Sequence, residues 1–374
     1  MLDILIIGGG LAGLINAIHL SKAGLQVKVI EKNAYPKHKV CGEYISNEVL
    51  PYLNYLGIDP FAEGAVAIDQ FSLSTVNGKE INTHLPLGGF GISRYTLDHI
   101  LYRKALEEGC TIEQEIVTNI DFSNDFFTTT TRNGAQYFSK FVIGAFGKRS
   151  NIDVHYQRAF IQQKAPFLGV KGHYLGDFPD NLVALHNFKG GYCGVSKVEN
   201  NRINICYLTD YKAFKKYRNI KIFQEEVLFK NPHLKALFAQ VQPLFEAPLT
   251  ISQVSFSPKK TIKNHILMSG DAAGMIHPLC GNGMGMAIHS ALLLSQALIR
   301  FFEGNSTDRL NLESVYTKQW ETTFRKRLIA GRIFNTTFKS DRIFELGLSG
   351  LLLFPKLLPF FIEQTHGKTL SVGN

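Results

Sequence analysis

Cysteine and tryptophan are scarce in this chain, and charge is modest. The five cysteines, Cys41, Cys110, Cys193, Cys206 and Cys280, are odd in number and scattered, and no Cys-x-x-Cys pair occurs. That spacing argues against a metal site or a dithiol pair and gives no disulfide framework, so a reducing, cytoplasmic setting is expected. Charged residues are 19% of the chain against 45% hydrophobic, an ordinary globular balance that leaves no disordered tract. No basic run interleaves with aromatic residues, so the net charge of +9 is not expected to serve nucleic acid. It suits an anionic cofactor, an acidic carrier partner or an anionic membrane face instead. The chain has no internal repeat. Its first apolar stretch, Ile4–Ile7, breaks into glycine with no cationic leader, so a signal peptide is not expected.

What is there has a clear order. Leu2–Ile7 reads as a buried strand, Leu11–Ala23 as a helix, and Gln26–Ile30 as a second strand ending at Glu31. Ser46 caps a helix expected over Glu48–Leu56. Asn77-Gly78 and Asn133-Gly134 are hairpin signals between alternating segments. Arg94–Glu108 has helical spacing. Residues 153–257 read as largely β, with helices near 211–239. A strand at Ile266–Ser269 leads to Gly270-Asp271-Ala272-Ala273-Gly274, and a helix is expected from Gly283.

Gly8, Gly10 and Gly13 have the spacing of a dinucleotide-binding turn, set between a strand and a helix. Such a turn needs one glycine for its tight bend, one for approach of a pyrophosphate and one for packing of helix on strand. The helix N-terminus at Leu11 and Ala12 offers N–H groups to the phosphates. Glu31, with Lys32 beyond it, stands where an acid accepts hydrogen bonds from a ribose. A second glycine-rich stretch then separates FAD from NAD. Gly270 and Asp271 follow a strand. Pro278, Gly281, Asn282, Gly283 and Met284 precede a helix whose N–H groups suit the edge of a flavin where negative charge develops.

These motifs, together with KVCGEYIS at Lys39–Ser46, ISRYTLDHIL at Ile92–Leu101 and GAFGKRS at Gly144–Ser150, occur in one order. Over residues 1–300 the chain resembles the FAD-dependent oxidoreductases that include geranylgeranyl reductases and para-hydroxybenzoate hydroxylase-like monooxygenases. The Lys39-x-Cys41-Gly42 loop tilts the resemblance toward the reductases. It implies an α/β, Rossmann-like FAD-binding fold with an inserted, mostly antiparallel substrate sheet and a helical C-terminus. The expected division is 1–72, 90–150 and 260–305 for FAD, 73–89 and 151–259 for substrate, and 306–374 for the helical region. It further implies that Gly8, Gly10, Gly13 and Glu31 hold the ADP half of a non-covalent FAD. Arg94 would lie at the pyrophosphate, Asp271 at the ribityl–pyrophosphate region, and Gly281–Gly283 at the isoalloxazine edge.

Cys41 is the leading catalytic candidate, as a proton donor or a contact to the reacting double bond, with Lys37 and Lys39 expected to lower its pKa. The plain alternative is a small residue packed in a turn. His277 is a second candidate, either an acid or a positional residue. Tyr192 and Cys193 are expected on the substrate side. Two departures from the relatives matter. Phe146-Gly147 stands where many have Asp-Gly, which leaves NAD(P)H open as the reductant but argues against its use in the hydroxylase manner. Tyr192–Ser196 lacks the Trp and Pro of the reductases' substrate segment, so the substrate is expected to differ from theirs. A lone tryptophan, Trp320, argues against the halogenase branch, which carries Trp-x-Trp-x-x-Pro.

The apolar tail at Leu346–Ile362 is interrupted by Pro355, Lys356 and Pro359. It is read as a packed hydrophobic lid or as an interfacial, peripheral membrane segment, and not as a span. Either suits a small hydrophobic substrate. The expected activity is reduction of a carbon–carbon double bond in an isoprenoid or lipid-like molecule, the alternative being hydroxylation of an aromatic or lipid phenol.

Overall fold

Strands that are apolar on both faces belong to parallel sheets, and the first sheet is built from such runs. A computed structural model describes residues 1–163, 166–304, 308–338, 341–354 and 357–371. Ile4–Ile7, Phe141–Ile143 and Ile266–Met268 are buried throughout. The strands Ile266–Met268, Gln136–Gly144, Leu2–Ile7, Val27–Glu31 and Thr111–Gln114 lie parallel in that spatial order, with Ile262–Lys263 antiparallel at one edge. The hairpin Val117–Ser123 and Phe126–Thr131 pairs back onto Gln136–Gly144. The first helix, Leu11–Lys22, is buried from Leu11 to Ser21.

The second sheet has nine strands. Its order is Gln242–Pro243, Phe167–Leu175, Arg202–Asp210, Gly191–Val198, Leu182–Phe188, Val66–Ser74, Glu80–Gly91 and Tyr44–Ser46, with Leu249–Val254 also on Phe167–Leu175. Every pairing is antiparallel except Leu182–Phe188 with Val66–Ser74. Alternation divides its faces. Val170, Cys193, Val195, Ile205 and Tyr207 pack with Phe223 and Leu234 of the helices Ile220–Glu226 and Pro232–Gln240. Lys171, Tyr192, Asn204 and Leu208 point the other way, toward the Lys39–Gly42 loop and Leu279.

The division expected at residue 72 falls inside this sheet. Tyr44–Ser46 and Val66–Ser74 both hydrogen-bond into it, because Asn77-Gly78 marks only the tip of a hairpin whose arms begin far from the turn. The residues just after 150 stay with the first sheet. Ile152 joins its core, and the Arg158 guanidinium donates to the carbonyls of Lys260 and Ala272 at 2.8 and 2.9 Å.

The helix Gly283–Phe302 is long and apolar enough to cross a bilayer by composition, but it packs between the first helix and the helix Arg309–Phe338. The tail forms two helices, Asp341–Leu353 and Leu357–Thr365. Pro355 and Lys356 lie outside the described residues. Leu358 and Ile362 turn inward onto Phe71, Leu73, Val183 and Tyr44 of the second sheet, which gives the tail a packed face. Leu353, Phe354 and Phe360 on its outer side are 77%, 64% and 55% exposed.

Candidate active site

The three motif glycines do different work. Gly8 holds φ at 104°, in the left-handed region, and a Cβ there would meet the Ala145 carbonyl at 2.5 Å. A Cβ on Gly13 would collide with the Gly8 carbonyl oxygen. Both positions are thus closed by the protein's own backbone. Gly10 is open: a Cβ there would have only Arg94 Nη2 at 3.8 Å and Lys39 Nζ at 4.0 Å for neighbours.

Those two cations are held by one buried carboxylate. Arg94 donates from Nε and Nη2 to Asp98 at 2.7 and 2.9 Å, and Lys39 Nζ donates to Asp98 Oδ2 at 2.7 Å. Burial opposes the charge on Asp98, but Arg94 and Lys39 outweigh it and hold its pKa below the ordinary carboxylate range. Burial likewise works against the Arg94 charge, while Asp98, then Cys41 and Asp271, hold its pKa above the ordinary value. Two cations against one anion leave an excess positive charge at the opening over Gly10. A diphosphate fits that space and that charge.

Glu31 accepts from the Gly9 N–H at 2.8 Å and from Asn33 at 3.0 and 2.6 Å. Both Asn33 donors go to Oε1, so Oε2, which takes only the Gly9 N–H, keeps capacity for a further donor. Lys32 stands exposed beyond it. Tyr35 Oη donates to the Gly9 carbonyl at 2.5 Å and so braces the turn from outside.

The second glycine stretch touches the first. A Cβ on Gly270 would meet the Ala12 Cβ at 2.7 Å, so the loop starting at Gly270 lies against the N-terminus of the first helix. Lys259 ties the region together, donating to the carbonyls of Asp271 and Lys148 at 2.7 and 2.8 Å. Burial pushes its pKa down to about 8. Gly147, next to Lys148, holds φ at 80° in open space. Pro278 is exposed, and Gly281 bends the chain at φ 62° beside the Tyr44 ring. The helix then starts at Gly283 without a side-chain cap, and the Asn282 amide donates to the Thr365 carbonyl at 3.0 Å. An uncapped N-terminus of a twenty-residue helix presents donors and positive potential to whatever lies before it.

The Lys39–Gly42 loop closes onto that N-terminus. Cys41 Sγ lies 3.6 Å from Met284 Sδ, and Asn204 Nδ2 from the second sheet donates to the Gly42 and Cys41 carbonyls at 2.8 and 3.3 Å. The two lysines expected beside the thiol are engaged elsewhere, Lys39 on Asp98 and Lys37 on Asn33 Oδ1 at 2.6 Å. Cys41 is partly exposed, while Cys110, Cys193 and Cys280 are buried. Burial pushes the thiols of Cys110 and Cys280 up to about 12.

His277 sits in an aromatic surround, its ring 4.6 Å from Phe256, 6.0 Å from Phe167 and 6.1 Å from Tyr192. Its Nδ1 accepts the Leu279 N–H at 3.4 Å, which caps the turn Pro278–Cys280. Tyr192 joins Leu208 and Leu279 in an apolar cluster flanked by Phe167, Leu185 and Phe256. Cys193 does not belong there. One residue along the strand, it faces the opposite side and is buried under the helices with Phe188 and Tyr207, which corrects its expected substrate role.

Sequence reasoning missed Asp98, although its i,i+4 spacing from Arg94 was a usable signal. It also missed Lys259, for which no local signal exists, and the buried acids Glu43 and Glu199. Glu199 accepts from the Ser93 N–H at 2.8 Å, the Ser93 hydroxyl at 2.5 Å and the Thr96 hydroxyl at 2.8 Å, and thereby pins the start of the Arg94 helix.

Comparison with known proteins matches residues 1–318 to the FAD binding domain. The chain is 24% identical over 363 residues to conditioned medium factor receptor 1 of Dictyostelium discoideum, covering 86% of this chain and 68% of that protein. It is 23% identical over 349 residues to digeranylgeranylglycerophospholipid reductase of Methanococcus vannielii, covering 87% and 82%. Among solved structures, a flavin-dependent brominase superposes with a TM-score of 0.81 at 18% identity, covering 97% of this chain and 93% of the other. At that identity the likeness is one of fold. The open, positively charged space over Gly10, the Glu31 carboxylate and the uncapped Gly283 helix fit the group this family binds. The chain belongs to the FAD-binding domain family of FAD-dependent oxidoreductases.

Proposed function

We propose that this oxidoreductase reduces a carbon–carbon double bond in a hydrophobic, isoprenoid or lipid-like substrate. The observation that carries the reading is the wall of Tyr192, Leu208, Phe167, Phe256 and Leu279 beside the Gly281–Gly283 turn, with the partly exposed Cys41 at the same helix start. When bound, FAD in its reduced form supplies hydride chemistry to an alkene carbon.

The chain's residues supply the rest. The apolar wall orients a substrate and excludes water. Cys41 Sγ–H delivers the proton that the neighbouring carbon requires, and the thiol recovers it from solvent. One hydride and one proton together saturate one double bond. Arg94, Lys39 and Glu31 fix the position of the cofactor's phosphate and ribose end. The similarity to a digeranylgeranylglycerophospholipid reductase supports an isoprenoid substrate class. The tail suits the same class: its inner face roofs the second sheet, and we assign its exposed outer face, with Leu353 and Phe354, to contact with a lipid surface.

The test is anaerobic reduction of the FAD-loaded protein with dithionite, followed by a polyprenyl lipid. Recovery of the oxidised flavin spectrum without oxygen, with a saturated product by mass spectrometry, is the expected result. Cys41→Ser should keep the flavin spectrum and lose that recovery. Recovery that requires oxygen and yields a hydroxylated phenol would overturn the reductase reading in favour of a monooxygenase.

A further inference from the structure

Three ionisable side chains with almost no exposure meet directly behind the Cys41 loop. Glu43 and Lys171 are fully buried, and His173 is 1% exposed. Glu43 Oε1 accepts from the Lys171 ammonium and from the Arg94 N–H at 2.7 Å, while Oε2 accepts from His173 Nε2–H at 2.7 Å. Lys171 also donates to the Lys39 carbonyl at 3.2 Å. Lys171 and His173 are two apart on the strand Phe167–Leu175, so both reach from the same face of the second sheet. His38 lies edge-on to His173, and Phe245 covers both rings.

Glu43 adopts φ 56°, a left-handed conformation that a non-glycine residue holds only when its surroundings impose it. Burial raises its carboxyl pKa, but Lys171 and His173 outweigh that and hold it below the ordinary value. It is therefore an acceptor at neutral pH, with lysine and histidine as its donors. A buried ion pair contributes little net stability compared with apolar residues of the same volume. What the triad supplies is a fixed place for the loop that precedes it.

We infer that Glu43 is a positioning residue that sets Cys41 against the start of the Gly283 helix by tying its loop to the second sheet. The inference rests on the reading of Cys41 as the group that faces cofactor and substrate. Three structural facts converge on it: Glu43 follows Gly42 directly, Lys171 holds the Lys39 carbonyl before the thiol, and Asn204 holds the two carbonyls between. The same carboxylate grips the N–H of Arg94, whose guanidinium borders the Gly10 opening. One acid thus registers the loop against both the phosphate cradle and the substrate sheet.

The variants are Glu43→Gln, Glu43→Gln/Lys171→Met and His173→Leu. The first strands a buried ammonium and is expected to melt early. The double variant removes both charges and should recover much of that loss. His173→Leu keeps the Glu43–Lys171 pair and removes one anchor only. The first readout is the alkylation rate of Cys41 by iodoacetamide in FAD-free protein, followed by peptide mass spectrometry. The second is FAD affinity, and the third is the split between kcat and KM.

In both the double variant and His173→Leu, Cys41 alkylation should change about tenfold, and kcat should fall about 10²-fold with KM within about threefold, the scale of a misplacement near 1 Å. FAD should still bind. His173→Gln, which keeps an N–H toward Glu43, should restore alkylation and turnover. Wild-type alkylation and turnover in His173→Leu would overturn the inference. The alkylation assay needs no substrate, so failure of the reductase reading shows separately, as absence of alkene-driven reoxidation in the wild-type protein.

Discussion

Adding one methyl group at Gly10 or at Gly13 should produce two different failures. Gly10 has φ −86° and ψ −171°, which alanine adopts without strain. Its Cβ would enter open space, with nothing nearer than 3.8 Å. Alanine is a poorer N-cap than glycine by about 0.5–1 kcal/mol, and it lowers unfolded-chain entropy by an amount of opposite sign, about 0.4–1 kcal/mol. The stability of the FAD-free Gly10→Ala protein should therefore match wild type within about 1 kcal/mol. The new methyl occupies the approach of the diphosphate, however. Losing two N–H contacts at about 1–1.5 kcal/mol each weakens FAD binding by about 10²-fold. Gly13→Ala instead drives a Cβ into the Gly8 carbonyl oxygen, a backbone atom that cannot rotate away. Overpacking of that kind costs about 1–3 kcal/mol or more, against a helix-propensity gain of about 1 kcal/mol. It should destabilise the FAD-free protein and weaken FAD binding together. Urea denaturation of FAD-free protein and FAD titration by flavin fluorescence separate the cases. Wild-type FAD affinity in Gly10→Ala would refute the placement of the diphosphate, and equal destabilisation by both substitutions would refute the contrast between open and closed positions.

Lys259 makes stability depend on pH. Its folded pKa is pushed down to about 8 by burial, while an unfolded lysine titrates near 10.4. Between those values the unfolded chain holds a proton that the folded chain has released, so stability rises with pH through that window, by about 3 kcal/mol in all. Subtracting the profile of Lys259→Met from that of wild type cancels the contribution of the buried thiols and phenols, whose unfolded forms titrate in the same range. A flat difference in urea midpoints from pH 7.5 to 10.5 would remove the lysine as the cause. For the tail, Leu353→Ser/Phe354→Ser/Phe360→Ser removes three exposed apolar side chains, each worth about 1.5–3 kcal/mol when fully buried. Co-sedimentation with phosphatidylcholine–phosphatidylglycerol vesicles should drop to near background while the melting temperature holds. Unchanged co-sedimentation would show that this face does not meet lipid.

Local patterns in the chain were legible where the chemistry is local. The strand, turn and helix around Gly8–Gly13 and the acid at Glu31 are set by residues within one βαβ unit, and the structure places them together. The Asn77-Gly78 and Asn133-Gly134 hairpins have the same origin. Contacts over long separations were not legible. Lys39 neighbours Cys41 in sequence, which suggested a charge on the thiol, yet its partner Asp98 is 59 residues away. Glu43 and Lys171 are 128 residues apart, and no periodicity announces that pair. At Tyr192 and Cys193, alternation dictates that neighbours face opposite ways but not which of them faces the turn Pro278–Cys280. The larger, tyrosine side chain takes that side, and the thiol packs under the helices.

The two sheets are joined through the same few residues that border the Gly10 opening. Glu199 at the end of the strand Gly191–Val198 holds Ser93 and Thr96, and Glu43, itself held by Lys171, takes the Arg94 N–H. Two carboxylates thus sit at the N-terminus of one helix, where the dipole favours negative charge. The side chain that leaves that helix at Arg94 carries the positive charge to the Gly10 opening. A shift of the helix start at Ser93 and Arg94 would therefore carry the Arg94 guanidinium away from the Gly10 opening. Substitutions at Glu199 should accordingly weaken FAD binding without lying near it, and Glu199→Gln, which keeps one oxygen acceptor and loses the charge, should weaken it less than Glu199→Leu. Equal FAD affinity in both variants and in wild type, read by fluorescence titration, would mean that the helix start is held well enough by its own Ser93 cap.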